Sequence, residues 1–368
     1  GGHNLITRGR SDQCEGFADR SPFSLVVAQT LGDVAVADQH LRRQGRRQRR
    51  KNLGAVHDVP NLGRKLVMSS KHGLPITSSR IRVVPALLGG VATVPVHGGL
   101  LTYEILAGST EPVLAIHGVS SQRRLWNWLH AEAPELTLIA PDLRGRGDSA
   151  AISASFSLAQ HVEDMIGILD HLEIDSVHIL GMSMGGFVAM RLAAEHPARV
   201  KSLILVDGGF PMSTPPGLTR EMVPALFADR IGRLEHSWVN LDDYIAFFVT
   251  NTAPLLDPTD PLLRDNLAHD LRDHRVRLSP SALLVDAAEA YFDPNPWERV
   301  QVPIRFVHAE WSVGPDSSPG YPAELVDLYR PRTVDTRLLP GADHAATIMT
   351  HSGAAVVAEM IKDALSAG

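Results

Sequence analysis

From about residue 90 the chain alternates short, continuous apolar runs with longer stretches in which apolar residues recur every three or four positions. The first kind suits strands buried on both faces, the second amphipathic helices. "VATVPV" (91–96) and "GLLTYEIL" (99–106) read as neighbouring strands joined at "HGG". "PVLAIHG" (112–118), "LTLIAPD" (136–142), "VHILGMS" (177–183) and "VKSLILVD" (200–207) predict four more. "VPIRFVHAE" (302–310) and "TVDTRLLP" (333–340) predict the last two. Helical spacing marks "SLAQHVEDMIGILDHL" (157–172), with Ser157 placed to cap it, and "MGGFVAMRLAAEHP" (184–197), stopped by Pro197. A final helix is expected over "SGAAVVAEMIKDALSA" (352–367).

Strands and helices in this alternation imply an α/β class, a mostly parallel central sheet with helices on both faces. Residues about 210–297 break the alternation with a helical stretch rich in Pro, Asp and His. It is expected as an inserted helical lid over the strand ends, not as a second domain. No internal repeat is visible.

Composition narrows the class further. At 368 residues and 44% hydrophobic, the chain can bury a sizeable core. No run reaches the roughly 18 uncharged apolar residues of a membrane span. Its one cysteine, Cys14, rules out an intrachain disulfide framework and fits a reducing compartment. Charge is uneven: residues 1–84 hold fifteen Lys/Arg against six Asp/Glu, whereas the whole chain is at -6. The remainder is therefore acidic and gives no reason to expect a nucleic-acid partner.

The basic run "LRRQGRRQRRK" (41–51) lacks the aromatic interleaving or amphipathic spacing of a nucleic-acid or membrane-surface tail. Residues 1–84 are expected to be a basic N-terminal extension, poorly ordered or foreign to the native protein, with Met68 as the native start. Residues 85–368 form the folded domain. "PFSLVVAQTLGDVAVA" (22–37) is too short, and broken by Asp33, for a signal core. The expected location is therefore cytoplasmic.

The chemistry centres on "GMSMG" (181–185), between an apolar strand and an Ala-rich helix. A serine on a tight strand-to-helix turn is exposed on strained backbone, and Gly181 and Gly185 relieve crowding against neighbouring elements. The helix N-terminus favours negative charge beside Ser183. Downstream, His344 in "LLPGADHAATIM" follows a predicted strand by a short loop, which suits a general base. His351, seven residues on, is a weaker rival.

With "LAIHG", "APDLRGRGDS", "HILGMSMGG" and "GADH" in this order, the chain from about 91 to 367 resembles the α/β-hydrolase superfamily. The resemblance implies that fold, with the backbone N–H groups of Val119 and Met184 as an oxyanion hole. It implies His117 as a turn-stabilising residue and Asp142 and Asp148 as parts of a fold-shaping loop. The family's usual acid is missing: in "VPIRFVHAEWSVGPDSS" Ala309 stands at the family's glycine and Ser312 at its aspartate. Asp207, Asp316 and Glu310 remain as alternatives, and Asp207, at the sheet edge beside the serine's strand, is preferred.

Trp126 and Trp128 could wall an acyl pocket or pack in the core. "HDLRDH", with His269, Asp270, Asp273 and His274, lacks the i, i+4 histidine pair of a helical metal site and is expected as a solvated helix surface. No phosphate-cradling or dinucleotide motif is present, so neither a cofactor nor a metal is expected. A serine nucleophile with a histidine base suits acyl transfer to water. The expected activity is that of a serine hydrolase, a carboxylesterase on small or medium acyl esters. Lactone hydrolysis, carbon–carbon bond hydrolysis and perhydrolysis are the enzymatic alternatives, and a small-molecule receptor of the same fold is the non-enzymatic one.

Overall fold

The structure, a computed structural model, describes residues 89–367. The expectations for residues 1–84, including the basic run, Cys14 and Met68, lie outside the described residues.

Ten strands are described: β1 (Gly90–Val96), β2 (Gly99–Leu106), β3 (Pro112–Ile116), β4 (Thr137–Pro141), β5 (Val177–Met182), β6 (Val200–Val206), β7 (Leu271–Arg272), β8 (Arg275–Val276), β9 (Ile304–Trp311) and β10 (Asp335–Asp343). Eight of them form one sheet in the order β1-β2-β4-β3-β5-β6-β9-β10. The β1–β2 and β2–β4 pairs are antiparallel, and every pair from β4–β3 to β9–β10 is parallel. This is the α/β-hydrolase architecture that the sequence led us to expect.

The strand runs lack polar alternation because both sheet faces are covered. Along β3, Val113 and Ala115 join the apolar cluster on one face, and Leu114 and Ile116 the cluster on the other. The first face packs against α1 (Asn127–Glu132) and the C-terminal helix, and the second against α2 (Leu158–His171) and α3 (Met184–Glu195). Ser157 caps α2 as expected, its hydroxyl accepting from Gln160 N–H at 3.0 Å. Strand β10 begins and ends later than the spacing predicts, and its register against β9 shifts between Leu339 and Asp343.

Between β6 and β9 the chain inserts helices α4 (Val223–Leu226), α5 (Ala228–Glu235), α6 (Leu241–Asn251), α7 (Pro261–Asp270) and α8 (Pro280–Phe292), with the β7–β8 hairpin between the last two. Then come α9 (Ala323–Tyr329) and α10 (His351–Ser366). Among the described residues no helix is long and apolar enough to cross a membrane.

The structure closes one choice that the sequence left open and corrects one expectation. Trp126 and Trp128 are fully buried in the core and do not line the cavity described below. Trp128 donates its indole N–H to Asp260 at 2.8 Å, tying α1 to the helical insertion. Nor is "HDLRDH" a solvated helix surface. Helix α7 ends at Asp270, whose buried carboxylate accepts from Tyr244 Oη at 2.8 Å, and the chain then turns in a hairpin. Asp273 and His274 hold the turn at φ 50° and 65°. A two-residue strand pair is too short to leave a periodic signal, which is why the pattern read as helix.

Candidate active site

Four consecutive strands of the sheet, β5, β6, β9 and β10, end at one edge, and the loops that follow them build the site. Ser183 follows β5 directly, with φ 54° and ψ -123°, a conformation costly for a residue with a Cβ. The turn is possible because its flanks are glycine. A Cβ on Gly185 would lie 2.0 Å from the carbonyl oxygen of Ile116, and one on Gly181 would lie 2.5 Å from that of Gly185. Ser183 N–H is tied to Val206 O at 2.9 Å, so the serine's position depends on the next strand.

Asp207 directly follows β6, at φ 43°, and is buried. Its Oδ1 accepts from Ala309 N–H at 3.0 Å, and its Oδ2 lies 2.5 Å from His344 Nδ1. The backbone at Ala309, where the family's glycine is expected, thus anchors a carboxylate that comes from the neighbouring strand. The other two candidates lie outside this contact. Glu310 accepts from Gly341 N–H at 2.7 Å, and Asp316 is exposed on a loop at φ 70°. Ser312 donates its hydroxyl to Ser318 O at 2.5 Å. His351 pairs with Glu132 on the surface, 2.5 Å away, and takes no part in the site.

The loop carrying His344 is fixed by a residue that sequence reasoning passed over. Buried Asp343 accepts from Gly314 N–H at 3.0 Å through Oδ2 and from Ala346 N–H at 2.9 Å through Oδ1. Thr347 Oγ1 donates to His344 O at 2.7 Å. An aspartate directly before the histidine, in "GADH", was the available signal.

A cavity of about 580 Å³ opens between the sheet edge and the helical insertion, and Ser183, His344, Asp207, Val119 and Met184 all border it. Among the described residues the N–H groups of Val119 and Met184 have no protein acceptor, and Ser183 Oγ has no hydrogen-bond partner. With His344 Nδ1–H directed at Asp207, the imidazole's Nε2 lone pair is available to a proton. Such a group can take a proton from a hydroxyl whose oxygen attacks a carbonyl.

The loop containing Val119 is braced by Arg146, the second residue missed from sequence. Its Nε and Nη2 both donate to Val119 O, at 3.1 and 3.0 Å. Fully buried, Arg146 also pairs with Asp286 at 2.6 Å, and Asp286 in turn meets His161 at 2.9 Å. His117 belongs to the same support. Leu143 N–H donates to its Nε2 at 3.0 Å, and burial pushes its pKa down to about 4. A neutral, hydrogen-bonded imidazole of this kind stabilises the turn.

Asp142, Asp148 and His269 can each bring one ligand atom within 4.8 Å of the others, a spacing a metal ion could bridge. Three arginines surround them, however: Arg123 pairs with both carboxylates, and Arg272 and Arg277 pair with Asp148. Burial raises the Asp142 pKa, but the nearby His269 imidazole and the charge and backbone N–H of Arg123 outweigh it, leaving a value of about 2. This charge cluster is already neutralised, and the two aspartates shape the loop as expected.

Residues 111–257 match the family model described as alpha/beta hydrolase fold. An uncharacterized protein of Mycobacterium tuberculosis is 43% identical over 115 residues, 31% of this chain, and the match spans only 33% of that relative's length. Lipase LipV of the same organism is 37% identical over 116 residues, 32% of this chain and 43% of the lipase. Among solved structures, E-2-(acetamidomethylene)succinate hydrolase superposes with a TM-score of 0.61 at 19% identity, covering 76% of this chain and 99% of the other. At that identity the likeness speaks for the fold. Sheet order, the residues matched by the family model and the superposition agree on the α/β-hydrolase fold.

Proposed function

We infer that the protein is a cofactor-independent serine hydrolase, a carboxylesterase acting on small to medium acyl esters. One observation carries the reading. Ser183, on its strained turn, borders the same cavity as a histidine that is held by a buried carboxylate. The match to a protein named as a lipase supports ester chemistry.

In the proposed reaction Ser183 Oγ attacks the ester carbonyl while His344 Nε2 takes its proton. The carbonyl oxygen becomes an oxyanion facing the free N–H groups of Val119 and Met184, where α3's N-terminus adds its dipole. His344 then gives the proton to the departing alcohol, leaving an acyl group on Ser183. Water, deprotonated by His344, attacks this acyl-enzyme and releases the acid, returning the proton to Ser183. Asp207 keeps the imidazole in its productive tautomer and stabilises the imidazolium that forms in each half. Helices α4–α8 act as the lid that shelters these steps from bulk water.

A panel of 4-nitrophenyl esters and simple lactones of graded length tests the reading. Repeated turnover of short and medium esters, lost in Ser183→Ala, is expected. Faster turnover of lactones would reassign the substrate class. A single slow stoichiometric turnover would favour a receptor over an enzyme.

A further inference from the structure

Arg230, on α5, lines the cavity on the side of the helical insertion. Among the described residues its guanidinium has neither an ion pair nor a hydrogen bond; its Cζ lies 5.2 Å from the centre of the Phe227 ring. The other charges nearby do not account for it. Asp229, its neighbour in sequence, is exposed to solvent. Arg233, one turn on, is buried, donates to Ser120 O at 3.2 Å and has Asp270 as its counter-charge. Burial and the like charge of Arg233 both push the Arg230 pKa down, the response of a cation short of partners. An arginine stays charged in such a place and gains most from a bidentate anion.

The remaining lining includes Leu125, Leu226, Phe248 and Met349, so the space combines an apolar body with an unmatched cation. Two carboxylates also border the cavity, but both are engaged, Asp207 with His344 and Asp270 with Tyr244 and the Arg233 charge, which leaves Arg230 as the cation free for an anion.

We propose that the substrate of the Ser183 site bears a carboxylate remote from the scissile carbonyl and that Arg230 binds this carboxylate. The substrate class is therefore an ester of a dicarboxylic or similarly acidic acyl chain. This rests on the serine-hydrolase reading of the site and narrows it.

The test compares 4-nitrophenyl hemiesters of adipate and suberate with the neutral hexanoate and octanoate esters, in wild type, Arg230→Gln and Arg230→Lys. Wild type should favour a hemiester over its neutral match in kcat/KM. Arg230→Gln should lower that ratio by about tenfold, chiefly through KM, with Arg230→Lys in between. High salt should weaken the preference in wild type. Wild-type preference for the neutral esters, or a ratio untouched by Arg230→Gln, overturns the proposal while leaving the esterase reading intact. Absence of turnover on all four esters overturns the serine-hydrolase reading, and this proposal with it.

Discussion

His344 Nδ1 lies 2.5 Å from Asp207 Oδ2, a contact made across 137 positions of the chain. It exists because β6 and β10 flank β9 and end at the same sheet edge, with Ala309 N–H holding the other carboxylate oxygen. On the proposed mechanism, Asp207→Asn should reduce kcat by about 10⁴-fold, because an amide stabilises the wrong imidazole tautomer and no imidazolium. Asp316→Asn and Glu310→Gln, whose side chains lie outside the contact, should keep near-normal turnover. Steady-state kinetics on a 4-nitrophenyl ester decides among the three.

Arg146 should matter through the peptide it holds. Arg146→Met removes both donors to Val119 O and leaves buried Asp286 with His161 alone. Breaking a buried pair from one side costs about 3–5 kcal/mol, so urea denaturation should show a loss of that order. In material that remains folded, kcat should fall more than KM rises, since an oxyanion donor acts mainly in the transition state. A fall in stability with kcat unchanged would assign Arg146 a purely architectural role.

Acid should destabilise the protein through His117. Its folded pKa of about 4 lies below the ordinary 6.5, so between those values the unfolded chain binds the extra proton. The stabilisation is fully present above pH 6.5 and is lost as pH falls through about 4. Over that window the loss is about 3 kcal/mol. Asp142, with a folded value of about 2 against 3.8, adds a further loss at still lower pH. Unfolding free energies at stepped pH should show a shallower acid limb for His117→Gln, whose side-chain oxygen can accept from Leu143 N–H. An unchanged slope would mean that His117 is charged in the fold.

The pattern of apolar runs was enough to place the sheet strands, α2, α3 and the nucleophile turn, because a strand buried on both faces and a capped amphipathic helix each leave a local signature. Ser183 and His344 were readable for the same reason: each sits just past a recognisable strand. Asp207 could be ranked but not chosen, since the Ala309 N–H that anchors it comes from a strand about a hundred residues away. Arg146 and Arg230 were invisible. An arginine that braces Val119 O and one that faces an open cavity look alike in sequence, and only the packing of the insertion against the sheet separates them. Trp126 and Trp128 stood between core and pocket until that packing was known.

The central claim is that Ser183 carries the acyl group. Wild-type enzyme and Ser183→Ala, each mixed with an activated ester and quenched in acid during turnover, can be digested and mapped by mass spectrometry. The account predicts an acyl adduct on the peptide containing Ser183 in wild type, formed and lost fast enough to support turnover, with no adduct and no turnover in Ser183→Ala. Sustained turnover in Ser183→Ala, or an adduct on another residue, would contradict it.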